Sequence, residues 1–168
     1  FSGVSGGNAT DTQVNWPLLP CPTEYDDNYN YQWEQKLIPY WKGINTEAEA
    51  AGVKIGIELH GGFLAHTPYT MLKLRDAAGK AIGCNLDPSH LWWQGIDPVA
   101  AVKILGEADA IHHFHAKDTY LDQDNINMHG LTDMQPYGNV KTRAWTFRSV
   151  GCGHDLKVWS DMISASRI

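Results

Sequence analysis

Cysteine is scarce in this chain. Cys21, Cys84 and Cys152 are three residues in 168, far apart and without a Cys-x-x-Cys spacing. An odd, scattered set argues against a disulfide framework and a thiolate zinc knuckle, so free thiols are expected. Positive charge is also short. Thirteen Lys and Arg stand against 19 Asp and Glu, for a net charge of −6. Non-specific nucleic-acid binding needs a basic face, so no nucleic-acid partner is expected. A few local cations can still hold a small anionic substrate. Long apolar runs are missing too. None approaches the roughly 20 residues of a membrane span, so no membrane partner is expected. No Gly-rich phosphate loop follows any apolar run, which weakens a dinucleotide-binding sheet.

The initiator Met is missing as well. The chain opens at Phe1-Ser-Gly3 as though part-way through an element, and Ser164-Ala-Ser-Arg-Ile168 stops within a helical pattern. A fragment is expected. No signal peptide is visible, and the expected compartment is the cytoplasm, although a missing leader says little in a fragment.

What is present suits one globular domain over residues 1–168: 43% apolar, 19% charged and no low-complexity tract. Seven Trp and seven Tyr predict aromatic pockets or large interfaces.

Residues 1–24 read as a long loop after a strand end at Phe1-Ser-Gly3. From about Asp26 to Ala51, apolar residues at spacings of three and four predict a helix. Pro39 is expected to kink it and Gly52 to stop it. Val53–Ile57 reads as a strand. Thr67-Pro68 and Asp97-Pro98 each supply an N-cap followed by a first-turn proline, so each opens a helix. Gly79 and Gly106 are the expected stops. Ile82–Leu86 and Ala110–Phe114 read as strands, residues 119–146 as a polar irregular excursion, and Leu156–Ile163 as a last helix. Alternating strands and crossover helices predict a parallel sheet covered by helices, either a TIM barrel or an open doubly wound sheet.

Three of the strands end in residues able to bind a metal. The first delivers Glu58 and His60, the second Asp87 and His90, the third His115 and Asp118. Strand side chains alternate, so Glu58 and His60 share a facing, and so do His115 and Lys117. Two carboxylates and an imidazole from neighbouring strand ends make a mixed oxygen and nitrogen site. Such a site suits divalent Mn, Mg, Co or Zn with positions open for substrate oxygens. Taken singly, each residue also has an ordinary reading. Glu58 is a solvated strand-end carboxylate, and Asp87 before Pro88 caps a turn. One of His112 and His113 packs while the other faces out. Trp92 and Trp93 either wall a sugar face or pack beneath their loop.

The motifs Ile57-Glu58-Leu59-His60, Asn85-Leu86-Asp87-Pro88-Ser89-His90 with Gly95-Ile96-Asp97-Pro98, and His115-Ala116-Lys117-Asp118 together resemble the sugar phosphate isomerase/epimerase family, the xylose-isomerase-like TIM barrels. The resemblance runs over nearly the whole chain and is most specific from Glu58 to Thr119. It implies an α/β fold, a parallel-stranded TIM barrel. Only part of it is expected here, from the end of strand four through strand seven and the following helix.

The resemblance also implies roles. Glu58, Asp87 and His115 correspond to metal ligands, and Glu58 also to one member of an acid/base pair. His90 and, less specifically, Arg148 correspond to residues that contact substrate. His60, Lys117 and Trp92 are candidates for the rim of the same pocket. The implied chemistry is isomerisation or epimerisation of a sugar or sugar phosphate through an enediolate, with a divalent cation as cofactor. The pair's second carboxylate, a Glu on strand eight, is expected beyond Ile168. Alternatives are a metal-dependent phosphodiesterase of the endonuclease IV kind, a non-catalytic module, or a barrel completed by homo-oligomer formation.

Overall fold

The computed structural model describes residues 1–166. They fall into two compact units, one of residues 1–85 and 110–113, the other of residues 86–109 and the described residues from 114 on. The boundary cuts through a strand, between Asn85 and Leu86.

The first unit begins with an irregular segment, and Phe1-Ser2-Gly3 is not in a ladder. It is still tied down: Trp41 Nε1 donates to Ser2 O, and Leu64 N to Gly3 O. The long helix predicted from Asp26 is three pieces: α1 (Thr23–Tyr31), a π-helical turn (Gln32–Leu37) and α2 (Ile38–Ala51). Pro39 accounts for the break. It cannot donate a backbone hydrogen bond, and its ring crowds the carbonyl four residues back. A widened turn before it relieves both. Gly52 ends α2 in the left-handed region, at φ 66°, as predicted.

Strand β1 (Ile55–Glu58) runs parallel to β2 (Ile82–Leu86), with Glu58 opposite Asn85. β3 (Ile111–Phe114) lies on the other side of β2, giving the order β1-β2-β3. This is the predicted parallel sheet, three strands of a partial barrel. Between β1 and β2, α3 (Pro68–Ala78) starts at a reciprocal capping box between Thr67 and Thr70. It packs against α2. Asn45 on α2 accepts from Ala81 N at 3.0 Å, which fixes the turn into β2. Trp33, Leu37, Trp41, Ile57, Met71, Leu74 and Ile82 form the core of this unit. His112 is packed, between Ile55 O and the Arg75 guanidinium, and His113 is exposed, as the pairing of the two suggested.

The second unit departs most from expectation. A short helix, α4 (Pro88–Trp92), follows β2 directly, with Asp87 as its N-cap. α5 (Pro98–Glu107) starts on Asp97, as predicted, and packs against α7 (Leu156–Ala165). The excursion read as irregular is partly ordered. β4 (Asp118–Leu121) pairs antiparallel with β5 (Trp145–Arg148), and α6 (Gln123–His129) lies between them. Each of these strands has only four residues, and the partners are more than twenty residues apart. No local turn signal announces such a pairing.

Trp93, just after α4, forms a small core with Ala144 and Trp145 of the excursion, covered by Leu121, Ile126, Leu131 and Phe147. Arg143 is buried against it. Its guanidinium lies over the Tyr137 and Trp145 rings and donates to Gln135 O. All three cysteines are free thiols, and Cys84 is buried. Burial, and then the charge of Glu58, push the Cys84 thiol up, out of the reactive range.

Candidate metal centre and its surroundings

In the first unit, Glu58 is the last residue of β1. Asn85, its register partner, donates from Nδ2 to Glu58 Oε2 at 3.3 Å. The parallel ladder therefore orients this carboxylate at the C-terminal end of the sheet. His60 lies two residues on, edge-on to the stacked rings of Phe1 and Phe63, with Nδ1 against Gly61 O.

In the second unit, the centre of the arrangement is Asp87, which is wholly buried. Its Oδ1 accepts from Ser89 N at 2.9 Å, the helix-capping bond. Its Oδ2 has no hydrogen bond of good geometry, yet three nitrogens surround it. Lys117 Nζ lies 2.7 Å away, His115 Nδ1 3.3 Å and His90 Nε2 3.5 Å. A buried carboxylate oxygen with no well-directed donor is costly unless a cation neutralises it. Here the Lys117 ammonium does so, and it also sits 4.4 Å from the centre of the Phe147 ring. His115, 46% exposed, offers its ring from the side open to solvent.

Asp87 and His115 in this unit, and Glu58 at the end of β1 in the first unit, are the candidate metal ligands. The donor chemistry fits a divalent ion of the Mn, Mg, Co or Zn kind, with two carboxylates, one imidazole and no thiolate. Asp87 Oδ2, which accepts no well-directed hydrogen bond, is the atom such an ion would satisfy.

The other predicted residues divide. His90 and Lys117 join Asp87, and their nitrogens are 3.2 Å apart. Arg148 pairs with Asp118 in the β4–β5 ladder, and its exposed guanidinium lies over the Tyr120 ring at 5.8 Å. Trp92 is buried, stacked flat on His154 at 3.8 Å and edge-on to Trp159.

Asp118, placed by sequence at a strand end with metal-binding potential, is spent on structure. Its Oδ2 accepts from the backbone N–H groups of Gly151, Gly153 and His154, and from Trp159 Nε1. Its Oδ1 accepts from Thr119 N and His154 Nδ1. Desolvation pushes this carboxyl up. The bonds from the His154 ring and from His154, Gly153 and Thr119 N–H outweigh it, so Asp118 is held below the usual carboxylate range. The Gly-Cys-Gly run of residues 151–153 was the available signal, because a chain wrapping a carboxylate with successive N–H groups favours glycine.

A parallel sheet whose strand ends carry this donor set belongs to a known class. Residues 12–167 match the family described as xylose isomerase-like TIM barrel, and the chain belongs to that family. It is 40% identical over 171 residues to the uncharacterized protein YfiH of Bacillus subtilis (strain 168), with the whole chain aligned. The match covers 54% of that protein, so the chain spans about half the length of the curated relative it matches.

Proposed function

We propose that the protein contributes to a divalent-metal-dependent isomerase or epimerase that acts on a sugar or sugar phosphate, moving a proton at a carbon beside a carbonyl through an enediolate. The donor types at successive strand ends carry this reading: Glu58 closes β1, and beyond β2 and β3 Asp87 Oδ2 lies 3.3 Å from His115 Nδ1. When bound, the ion supplies Lewis-acid polarisation of the substrate carbonyl. Glu58 is the proposed base, oriented by Asn85. Return of the proton to the opposite face calls for a second acid, which the family resemblance puts on a strand after α7. His90 and Lys117 are the proposed substrate contacts, the ammonium suiting a phosphate or carboxylate oxygen. Arg148 and His60 are proposed as outer contacts, and the stacking of Trp92 on His154 supports a packing role for that ring.

Calorimetric titration with Mn²⁺ tests the metal site. The wild type is expected to bind, and Glu58→Gln and Asp87→Asn to bind at least tenfold more weakly. Identical titrations for all three proteins would remove the site. Incubation of ketoses and ketose phosphates in heavy water, followed by NMR, tests the chemistry. Deuterium is expected at the carbon beside the carbonyl with the wild type and not with Glu58→Gln.

A further inference from the structure

The turn after β5 carries a carboxylate and imidazole pair that the metal centre does not use. His154 Nδ1 lies 2.8 Å from Asp118 Oδ1. Asp118 is wholly buried and its carboxyl is held below the usual range, so at neutral pH its oxygens are ionised and can only accept. The proton of the neutral His154 ring therefore sits on Nδ1, and Nε2 presents its lone pair. Among the described residues none bonds to Nε2, and Nε2 is not one of the buried atoms left without a partner. With the side chain 22% exposed, solvent reaches this nitrogen.

The ring is held for approach along its edge. One face lies on Trp92, with ring centres 3.8 Å apart and planes 8° apart. An imidazole lone pair points outward in the ring plane, so this stacking covers a face and leaves the reacting edge clear. Trp159 stands edge-on to Trp92 at 5.5 Å and donates from Nε1 to Asp118 Oδ2. The same oxygen accepts from the backbone N–H groups of Gly151, Gly153 and His154. Asp118 cannot turn away from the ring without giving up these bonds. Positive charge that develops on the ring as Nε2 forms a bond is therefore met by a negative charge already in place. His113 and His129 are also exposed, and among the described residues neither is paired with a carboxylate.

We propose that His154 is a nucleophilic histidine that takes a phosphoryl group from a small activated donor of the phosphoramidate or acyl phosphate class. The Nε2 lone pair forms the new N–P bond as the bond from phosphorus to the leaving group breaks. The electron pair of the broken bond departs with that group, as ammonia from a phosphoramidate or as a carboxylate from an acyl phosphate. The product ring is an imidazolium that keeps its Nδ1–H on Asp118 Oδ1. The group is added one residue before the N-cap of α7, at a helix end that favours negative charge.

Incubation with potassium phosphoramidate at about pH 8, above the ordinary imidazole range, followed by residue-resolved mass spectrometry in alkali, gives the rate at each histidine. His154 is expected to be labelled at least about tenfold faster than His113 and His129. Labelling of His154 no faster than these two overturns the proposal. Two-bond ¹H–¹⁵N NMR of the wild type, with a His154→Gln sample for assignment, is expected to show a protonated Nδ1 and a bare Nε2 on this ring. A ring protonated on Nε2 instead overturns the proposal as well. Asp118→Asn is expected to lose the rate advantage, and an unchanged advantage in the folded variant overturns the part given to Asp118. The two wild-type measurements decide the proposal even where that variant does not fold. None of them involves Glu58, Asp87 or His115, so their failure and that of the metal site are separate results.

Discussion

The His154 ring donates from Nδ1 to Asp118 Oδ1 across 2.8 Å, while its face lies on Trp92. One carboxylate at the start of β4 thus gathers the turn after β5 and the start of α7. Asp118→Asn keeps one acceptor oxygen but replaces the other with an amide that cannot accept. Four donors aimed at Oδ2 lose their partner in one of the two amide orientations, and the Oδ1 donors in the other. Loss of charge-assisted bonds at a buried carboxylate is expected to cost about 3 kcal/mol. Chemical denaturation of Asp118→Asn beside the wild type measures it, and a difference within error would show that the turn holds without Asp118.

The same carboxylate gives an acid dependence of known sign. Its folded pKa is lowered, so the unfolded chain takes up the proton first as pH falls. The stability it contributes is fully present above the unfolded value of about 3.9, and is lost as pH drops through the lower folded value. Indole fluorescence of Trp159, compared between wild type and Asp118→Asn through an acid titration, should show a late transition in the wild type that the variant lacks.

Lys117 occupies the position a metal would compete for. Lys117→Met strips the buried Asp87 of its countercharge, and the metal-free variant is expected to lose about 3 kcal/mol. A ligand that binds only the folded state adds stability by mass action. Saturating Mn²⁺ should therefore raise the Tm of Lys117→Met more than that of the wild type. Equal shifts in paired thermal melts would show that ammonium and ion do not share Asp87.

Gly153 leaves no room for a side chain. An added Cβ would meet the Thr119 carbonyl oxygen, lie 2.5 Å from its carbon and 2.8 Å from Asp118 Oδ1. Two of those atoms are backbone and cannot step aside. Gly153→Ala is expected to lose about 3 kcal/mol or more, the range of a forced core rearrangement. A Tm within a few degrees of wild type would contradict this close approach.

Thr67 provides a contrast far smaller in size. Removing its side chain abolishes the capping box of α3, at an expected cost of about 1 kcal/mol. Thr67→Ala should leave Mn²⁺ titration unchanged, which separates a local helix-start effect from damage to the strand ends.

The sequence alone determined whatever is encoded within a few residues. Thr67-Pro68 and Asp97-Pro98 open α3 and α5 because a cap and a proline act on the turn they sit in. Gly52 stops α2 because only its own φ is at stake. The β-rich runs gave the parallel strands, and their last residues gave Glu58, Asp87 and His115 as candidate ligands, since alternation along a strand fixes which side chains emerge together.

Tertiary structure decided the rest. β4 and β5 pair across an excursion whose sequence carries no turn of its own, so only their mutual ladder defines them. Asp118 reads like a ligand until the folded chain brings Gly151, Gly153, His154 and Trp159 around it. The burial of Trp93 is invisible in its motif, because the ring that stacks on it, Trp145, comes from the far end of the excursion. Local chemistry can be read one residue at a time, whereas the partner of a buried polar atom is a property of the whole fold.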